Sequence, residues 1–207
     1  MDWEELARRE PYFALLTNSG APATEEFFAT GEADIAALLA QIAVVLSRDI
    51  ELTDVLDFGC GAGRLTLPLA RRAKRVVAYD IAPAILVHGR QNAANAGLDN
   101  VTFSESLPDA TFTFICSLLV FQYIPTSIGY PLLNRLVGML RPSGVAAIHL
   151  VLTRGHARLR RFIRFTHGET TCTYDEALVL REVESAGAMV AARMTVGDGS
   201  VLVIEKR

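Results

Sequence analysis

One acid and three glycines in one short run set the chemistry this chain can do. Val55-Leu56-Asp57-Phe58-Gly59-Cys60-Gly61-Ala62-Gly63-Arg64 places a carboxylate two residues before three alternating glycines. Apolar residues lead in, and Leu65-Thr66-Leu67-Pro68-Leu69-Ala70 follows as a helix start. Glycine allows a tight strand-to-helix turn and lets a ligand approach the main chain. A helix N-terminus offers N–H groups and a positive dipole end. Pro68 falls within the first turn or so, where its missing N–H costs little.

The spacing decides between ligands. The dinucleotide fingerprint G-x-G-x-x-G needs glycine at 59, 61 and 64, and position 64 is Arg64. Starting at Gly61 fails at Thr66, and no Gly-Lys-Ser/Thr follows for a P-loop. A second acid, Asp80, ends the apolar run Arg75-Val76-Val77-Ala78-Tyr79. It lies 17 residues beyond Gly63, close to the spacing of an acid that binds ribose hydroxyls. An ionised carboxylate can accept from both hydroxyls of a ribose. The competing reading is a structural glycine turn with Asp80 as a cap.

Asp57 with G-x-G-x-G and Asp80 resembles motif I and its partner acid in the class I S-adenosylmethionine-dependent methyltransferases. The resemblance runs from about residue 52 to the end. It implies a Rossmann-like doubly wound α/β sheet of seven strands, order 3-2-1-4-5-7-6, with strand 7 antiparallel. It also implies methyl transfer by in-line displacement, with S-adenosyl-L-methionine as donor and S-adenosyl-L-homocysteine as product. Asp57 would hold the ammonium group through water. The backbone of Gly59, Cys60, Gly61 and Gly63 would frame the methionine end. Asp80 would take the ribose, and Ile81 would pack on adenine. Glu105 or Ser106 would meet the adenine amino group, or their run forms a surface turn. Ligands in open α/β sheets lie beyond the carboxyl ends of the strands, so Ser117 at the end of strand 4 would line the pocket. The chain has Phe112-Thr113 where many relatives have Phe-Asp, and Ser143 where glycine is common before strand 5.

The elements that must position these residues read as follows. Strands are expected at 54–58, 75–79, 101–104, 112–117 and 145–151, with helices at 65–73, 83–96 and 128–140. This β-α-β rhythm argues for a parallel sheet. A helix at 175–186 and strands at 189–196 and 200–205 follow, the last two joined by the hairpin signal Gly197-Asp198-Gly199. Residues 1–50 form an N-terminal helical cap of the same domain, and 51–207 the cofactor-binding domain. Helical spacing covers Glu4–Leu16 and Ala33–Leu46, whereas Glu25–Gly31, with its adjacent Phe27 and Phe28, is less regular. Those rings, with Tyr12, either fold over the cofactor or pack the N-terminal helices.

The acceptor side is less marked. Gln122 and Tyr123, after strand 4, either contact substrate or satisfy a loop. Residues 154–167 carry five arginines and two histidines without an acid. Arg158 and Arg161 either line a mouth for an anionic acceptor or face water. His149 reads as a core residue inside strand 5, His156 and His167 are only candidates, and no catalytic base is assigned.

Composition narrows the classes. The 207 residues are 51% hydrophobic, which excludes disorder and suits one domain. A formal net charge of −3 argues against a nucleic-acid partner or an anionic membrane. No apolar run approaches the length of a membrane span. Three scattered cysteines without C-x-x-C predict buried thiols in a reducing cytoplasm and no metal site. The first reading is therefore a cytoplasmic methyltransferase with a small-molecule acceptor. The alternative is a catalytically silent module that binds the same cofactor for regulation or assembly.

Overall fold

Strand β1 (Asp54–Phe58) is buried at every position, as a central parallel strand covered on both faces must be. It pairs in parallel with β2 (Arg75–Tyr79), and β2 with β3 (Val101–Ser104). The computed structural model describes residues 3–9, 24–153, 171–197 and 199–207. Their main sheet has seven strands in the order β3-β2-β1-β4-β5-β9-β8. The strand β9 (Gly199–Lys206) runs antiparallel to both β5 (Leu140–Leu150) and β8 (Ala188–Val196). This is the expected order, with β9 and β8 in the places of strands 7 and 6. A separate two-stranded ribbon joins β6 (Leu152–Thr153) to β7 (Tyr174–Asp175).

The chain divides into two compact units, Met1–Asp109 and Ala110–Arg207. The first holds β1 to β3 and helices α1 (Trp3–Arg9), α2 (Thr24–Leu46), α3 (Thr66–Ala70) and α4 (Pro83–Asn95). One core cluster joins Ala7, Phe27, Cys60, Ala62, Ala78, Ala82, Ile85 and Leu86, with Trp3 and Phe28 packed against it. Phe27 is therefore core, meeting Phe28 edge to face at 5.1 Å. Tyr12 lies outside the described residues. The second unit holds β4 (Phe112–Ser117), a 3-10 turn at Phe121–Tyr123, α5 (Thr126–Gly138), β5 to β7, α6 (Glu176–Ser185), β8 and β9.

The departures from expectation have local causes. Helix α2 runs unbroken through Glu25–Gly31. Gly31 sits in it because the Arg64 carbonyl comes so close that an added Cβ would be 2.0 Å from its oxygen. By length and mean hydropathy, Glu25–Leu46 is also apolar enough to cross a membrane, which residue-by-residue reading missed. Its Phe27, Ile35, Leu38 and Ile42 are buried. Helix α3 is shorter than expected, ending at Ala70 with Arg71 as its C-cap. Strand β5 starts early, at Leu140, with a register shift before Val145. Ser143 takes φ 62° in that irregularity, the left-handed conformation that glycine adopts freely.

Gly31→Ala tests the α2 contact against helix propensity. Propensity alone favours alanine by about 1 kcal/mol. The Arg64 carbonyl reverses the sign, and a net loss of about 1–3 kcal/mol is expected in urea denaturation. A stabilised variant would show that the contact does not constrain α2.

Candidate functional site

The first unit brings Asp57 and Asp80 to the ends of paired strands. Gly59, Gly61 and Gly63 have φ of 79°, 54° and 96°, so each glycine is required by its backbone. The turn is closed by its own donors. The N–H groups of Gly59 and Cys60 both donate to the Tyr79 carbonyl, at 2.8 and 2.9 Å. Gly61 N–H donates to Asp80 Oδ2 at 2.9 Å, and Gly63 N–H to the Cys60 carbonyl at 3.0 Å. The buried Asn92 of α4 donates from Nδ2 to the Ala62 carbonyl at 3.0 Å. The carbonyls of Cys60, Gly61, Ala62 and Gly63 also accept hydrogen bonds within the protein, so the turn offers a ligand close approach more than free polar groups.

Asp57 is buried, and Thr66 Oγ1 donates to its Oδ2 at 2.6 Å. Burial pushes its carboxyl up to about 6, against the Thr66 hydrogen bond and the Arg64 charge, with Asp80 adding to the rise. Asp80 is half-buried and also shifted upward by burial. Its Oδ1 accepts from Ala82 N–H at 3.0 Å, and Pro83 opens α4 just beyond. Glu4 Oε2 of α1 accepts from Ala84 N–H at 3.0 Å, supplying the α4 terminus with an acid from far away in sequence. Ile81 is 69% exposed beside Asp80, an open apolar surface. Cys60 is buried, and burial raises its thiol well above the ordinary value.

Beside Asp80, the Ser104 carbonyl accepts the Asp80 N–H at 3.2 Å. The Ser104 hydroxyl closes the next turn, donating to the Ser106 carbonyl and accepting from Ser106 N–H. Glu105 and Ser106 are exposed in that turn.

In the second unit, Ser117 ends β4 fully buried, and its hydroxyl has no hydrogen-bond partner among the described residues. Leu119 follows at φ 63°, a conformation that costs a side-chain-bearing residue roughly 1–2 kcal/mol. Gln122 is buried and Tyr123 half-buried. The Gln122 carbonyl accepts from Cys172 N–H at 2.7 Å. The Tyr174 hydroxyl donates within reach of the Phe121 and Ile124 carbonyls, at 3.1 and 2.7 Å. Thus the chain after residue 170 is stapled to the turn after β4. His149 is buried in β5, where burial lowers its pKa and keeps the imidazole neutral. Arg158, Arg161, His156 and His167 lie outside the described residues.

Sequence reasoning missed Thr66, Asn92 and Glu4. Thr66 opens α3 after the N-cap Leu65, and its hydroxyl serves Asp57. Nothing local marks Asn92 or Glu4, whose partners are 30 and 80 residues away.

Comparison with known proteins fits this arrangement. Residues 55–144 match the family model described as a methyltransferase domain. The structure of magnesium protoporphyrin IX methyltransferase (ChlM) from Synechocystis PCC 6803 with bound SAH superposes with a TM-score of 0.71. That match has 17% identity and covers 99% of this chain and 98% of the other. The [4+2]-cyclase SpnF aligns at 0.65, with 16% identity over 95% of this chain and 86% of its own. The 23S rRNA (uracil(1939)-C(5))-methyltransferase RlmD of Klebsiella pneumoniae is 57% identical over 49 residues, 24% of this chain. This chain thus spans about a tenth of that relative's length, 11%. Residues 55–144, less than half of the chain, match the methyltransferase-domain model, and the chain shares the fold of these solved structures.

The Asp57 environment predicts a stability trade. Its carboxyl titrates higher folded than unfolded, so its ionisation destabilises the fold as pH rises from about 4 through about 6. Asp57→Asn should therefore stabilise the ligand-free protein at pH 7 by up to about 3 kcal/mol. The gain should shrink as pH falls below 6 and vanish near 4. Denaturation of both proteins across pH checks this, and a variant less stable than wild type at pH 7 would contradict it.

Proposed function

We propose that this protein transfers a methyl group from S-adenosylmethionine to a small-molecule acceptor, and that Asp57 and Asp80 hold the donor. One observation carries the reading. Two acids lie at the ends of neighbouring strands around a turn in which the Gly59, Cys60, Gly61 and Gly63 amides are already engaged. Such a site suits a cationic ammonium and a ribose better than a pyrophosphate, which needs free N–H groups.

The residues fit S-adenosylmethionine in chemistry. Asp57, buried and at the edge of ionisation, favours a cation beside it. Asp80 keeps lone pairs on both oxygens for hydroxyl donors while two N–H groups hold it in place. Ile81 gives an apolar face for adenine. When bound, the cofactor supplies a sulfonium methyl that an acceptor nucleophile displaces in line. Glu105 and Ser106 stand next to the ribose acid in the turn that the Ser104 hydroxyl closes. Cys60 stays a neutral thiol in the turn, inert toward the methyl group. With so activated a donor, the chain's work is alignment and exclusion of water; an amine or stabilised carbanion then needs no dedicated base, whereas a hydroxyl acceptor needs one to take its proton.

Ser117, Gln122 and Tyr123 are proposed to face the acceptor, with Arg158 and Arg161 selecting an anionic one. RlmD carries 23S rRNA in its name, and a nucleic-acid acceptor is the competing substrate class. The net charge of −3 favours the small molecule, because a polyanion is held by a basic surface.

Calorimetry with S-adenosylhomocysteine and transfer of a tritiated methyl group test the proposal together. Label should reach one of a panel of hydroxyl, amine or carboxyl compounds. Label only in RNA would overturn the small-molecule acceptor. Tight binding without transfer to any acceptor would indicate a silent binding module. Asp80→Ala should raise the Kd for S-adenosylhomocysteine about 10- to 100-fold. An unchanged Kd would remove Asp80 from the site. Arg158→Ala with Arg161→Ala should raise KM for an anionic acceptor and leave kcat little changed. The same KM in that double variant would dismiss the arginine mouth.

A further inference from the structure

Helix α4 begins without a cap of its own. Its N-cap is Ala82, which has no side-chain oxygen, and Pro83 follows with no N–H. The next donor is Ala84 N–H, a group that a capping side chain ordinarily accepts from. Here the acceptor is Glu4 Oε2 of α1, 80 residues away in sequence, at 3.0 Å. Glu4 Oε1 pairs with Arg8 at 2.8 Å, one turn along α1. The Ile85 N–H turns back to the Ala82 carbonyl at 3.2 Å.

The residues so held follow directly on the proposed ribose acid. Asp80 Oδ1 accepts from Ala82 N–H, and Asp80 Oδ2 from Gly61 N–H. The run 80–84 is therefore fixed by one carboxylate at its start and by Glu4 at its end. Ile81 lies between the two. The apolar side of α1 reaches the same place. Ala7 is buried in one cluster with Cys60 and Ala62 of the glycine turn and with Ala82, and Trp3 and Ala84 pack against that cluster. Through one cluster and one hydrogen bond, α1 bears on the glycine turn and on the Asp80 turn together.

We propose that α1 is a strap on the cofactor site and that Glu4 is its positioning residue. Docking of α1 caps α4 and holds Asp80 and Ile81 in the arrangement that receives the adenosine end of the donor, and binding of the donor tightens α1 in return. The inference rests on the reading of Asp80 as the ribose acid. Linkage makes the two effects reciprocal: the factor by which undocking weakens binding is the factor by which binding opposes undocking. A cap that serves stability alone has neither effect. Its loss lowers the melting temperature and leaves the affinity of the folded protein unchanged.

Two measurements test it: S-adenosylhomocysteine affinity by calorimetry, and amide exchange of residues 3–9 and Ala84 with and without that ligand. A lost cap shifts an equilibrium by about fivefold, so Glu4→Ala should raise Kd roughly three- to tenfold. Glu4→Gln keeps an acceptor oxygen and should recover most of that loss. In wild type, saturating ligand should slow the exchange of residues 3–9 and of Ala84 by a similar factor. An unchanged Kd in Glu4→Ala would overturn the proposal. Exchange of residues 3–9 unaltered by the ligand would overturn it equally, and that measurement requires no variant to fold. Asp80→Ala separates the two readings. If it binds like wild type, the ribose assignment fails and the strap with it. If it loses affinity while Glu4→Ala does not, only the strap fails.

Discussion

A carboxylate held out of water at the end of β1 governs the first unit. Asp57 is buried with its charge opposed by desolvation. Burying an unbalanced charge is costly, so each nearby element supplies compensation. Thr66 provides a hydroxyl from the first residue of α3. Arg64, in the same turn, is held by Thr30 and Asp34 of α2. The three glycines let the chain fold back tightly enough for this. Asp80 then ties the turn to β2 by accepting the Gly61 N–H. The site is a set of mutual satisfactions, and little of it is available for rearrangement.

The second unit solves a different problem. Its β4 is buried throughout and its β5 from Gly144 to Leu150, and beyond them β7 pairs in parallel with β6. That pairing is fixed by a tyrosine. Tyr174 is fully buried and stands edge-on to Phe121 and Tyr130, while its hydroxyl serves two carbonyls of the turn after β4. Gly129 of α5 has no side chain because the Tyr174 hydroxyl occupies that space. Tyr130 accepts the Asp175 N–H, and the Asp175 carboxylate then caps α6 by accepting from Ala177 and Leu178. A segment pinned this firmly gives Gln122 a fixed place beside Cys172.

What was legible in the sequence follows from whether the signal is local. Strands β1 and β4 are buried at all positions and are mostly apolar, and their limits match those expected from the sequence. Asp57 and Asp80 were legible because strand ends and glycine spacing fix where they fall. The first turns of α2 were not, because Gly31 reads as a helix breaker until Arg64 is packed against it. Thr66, Asn92 and Glu4 are common residues whose meaning lies in distant partners. Leu119 carries no sequence mark at all, since nothing in a leucine announces a left-handed backbone.

The same distinction explains why the proposed donor side carries marks in the sequence and an acceptor side does not. Holding a cofactor of fixed shape requires fixed backbone at strand ends, and fixed backbone demands particular residues such as glycine at positive φ. Acceptors differ in shape, so they are met by loops, where many residue types serve. Chemistry leaves no stronger mark, because a sulfonium methyl is reactive enough for alignment to carry much of the rate. A fold shared with a [4+2]-cyclase and with a porphyrin methyltransferase cannot choose among acceptors. The choice therefore has to come from side chains that the shared fold does not fix, and loops beside the sheet are where such side chains lie.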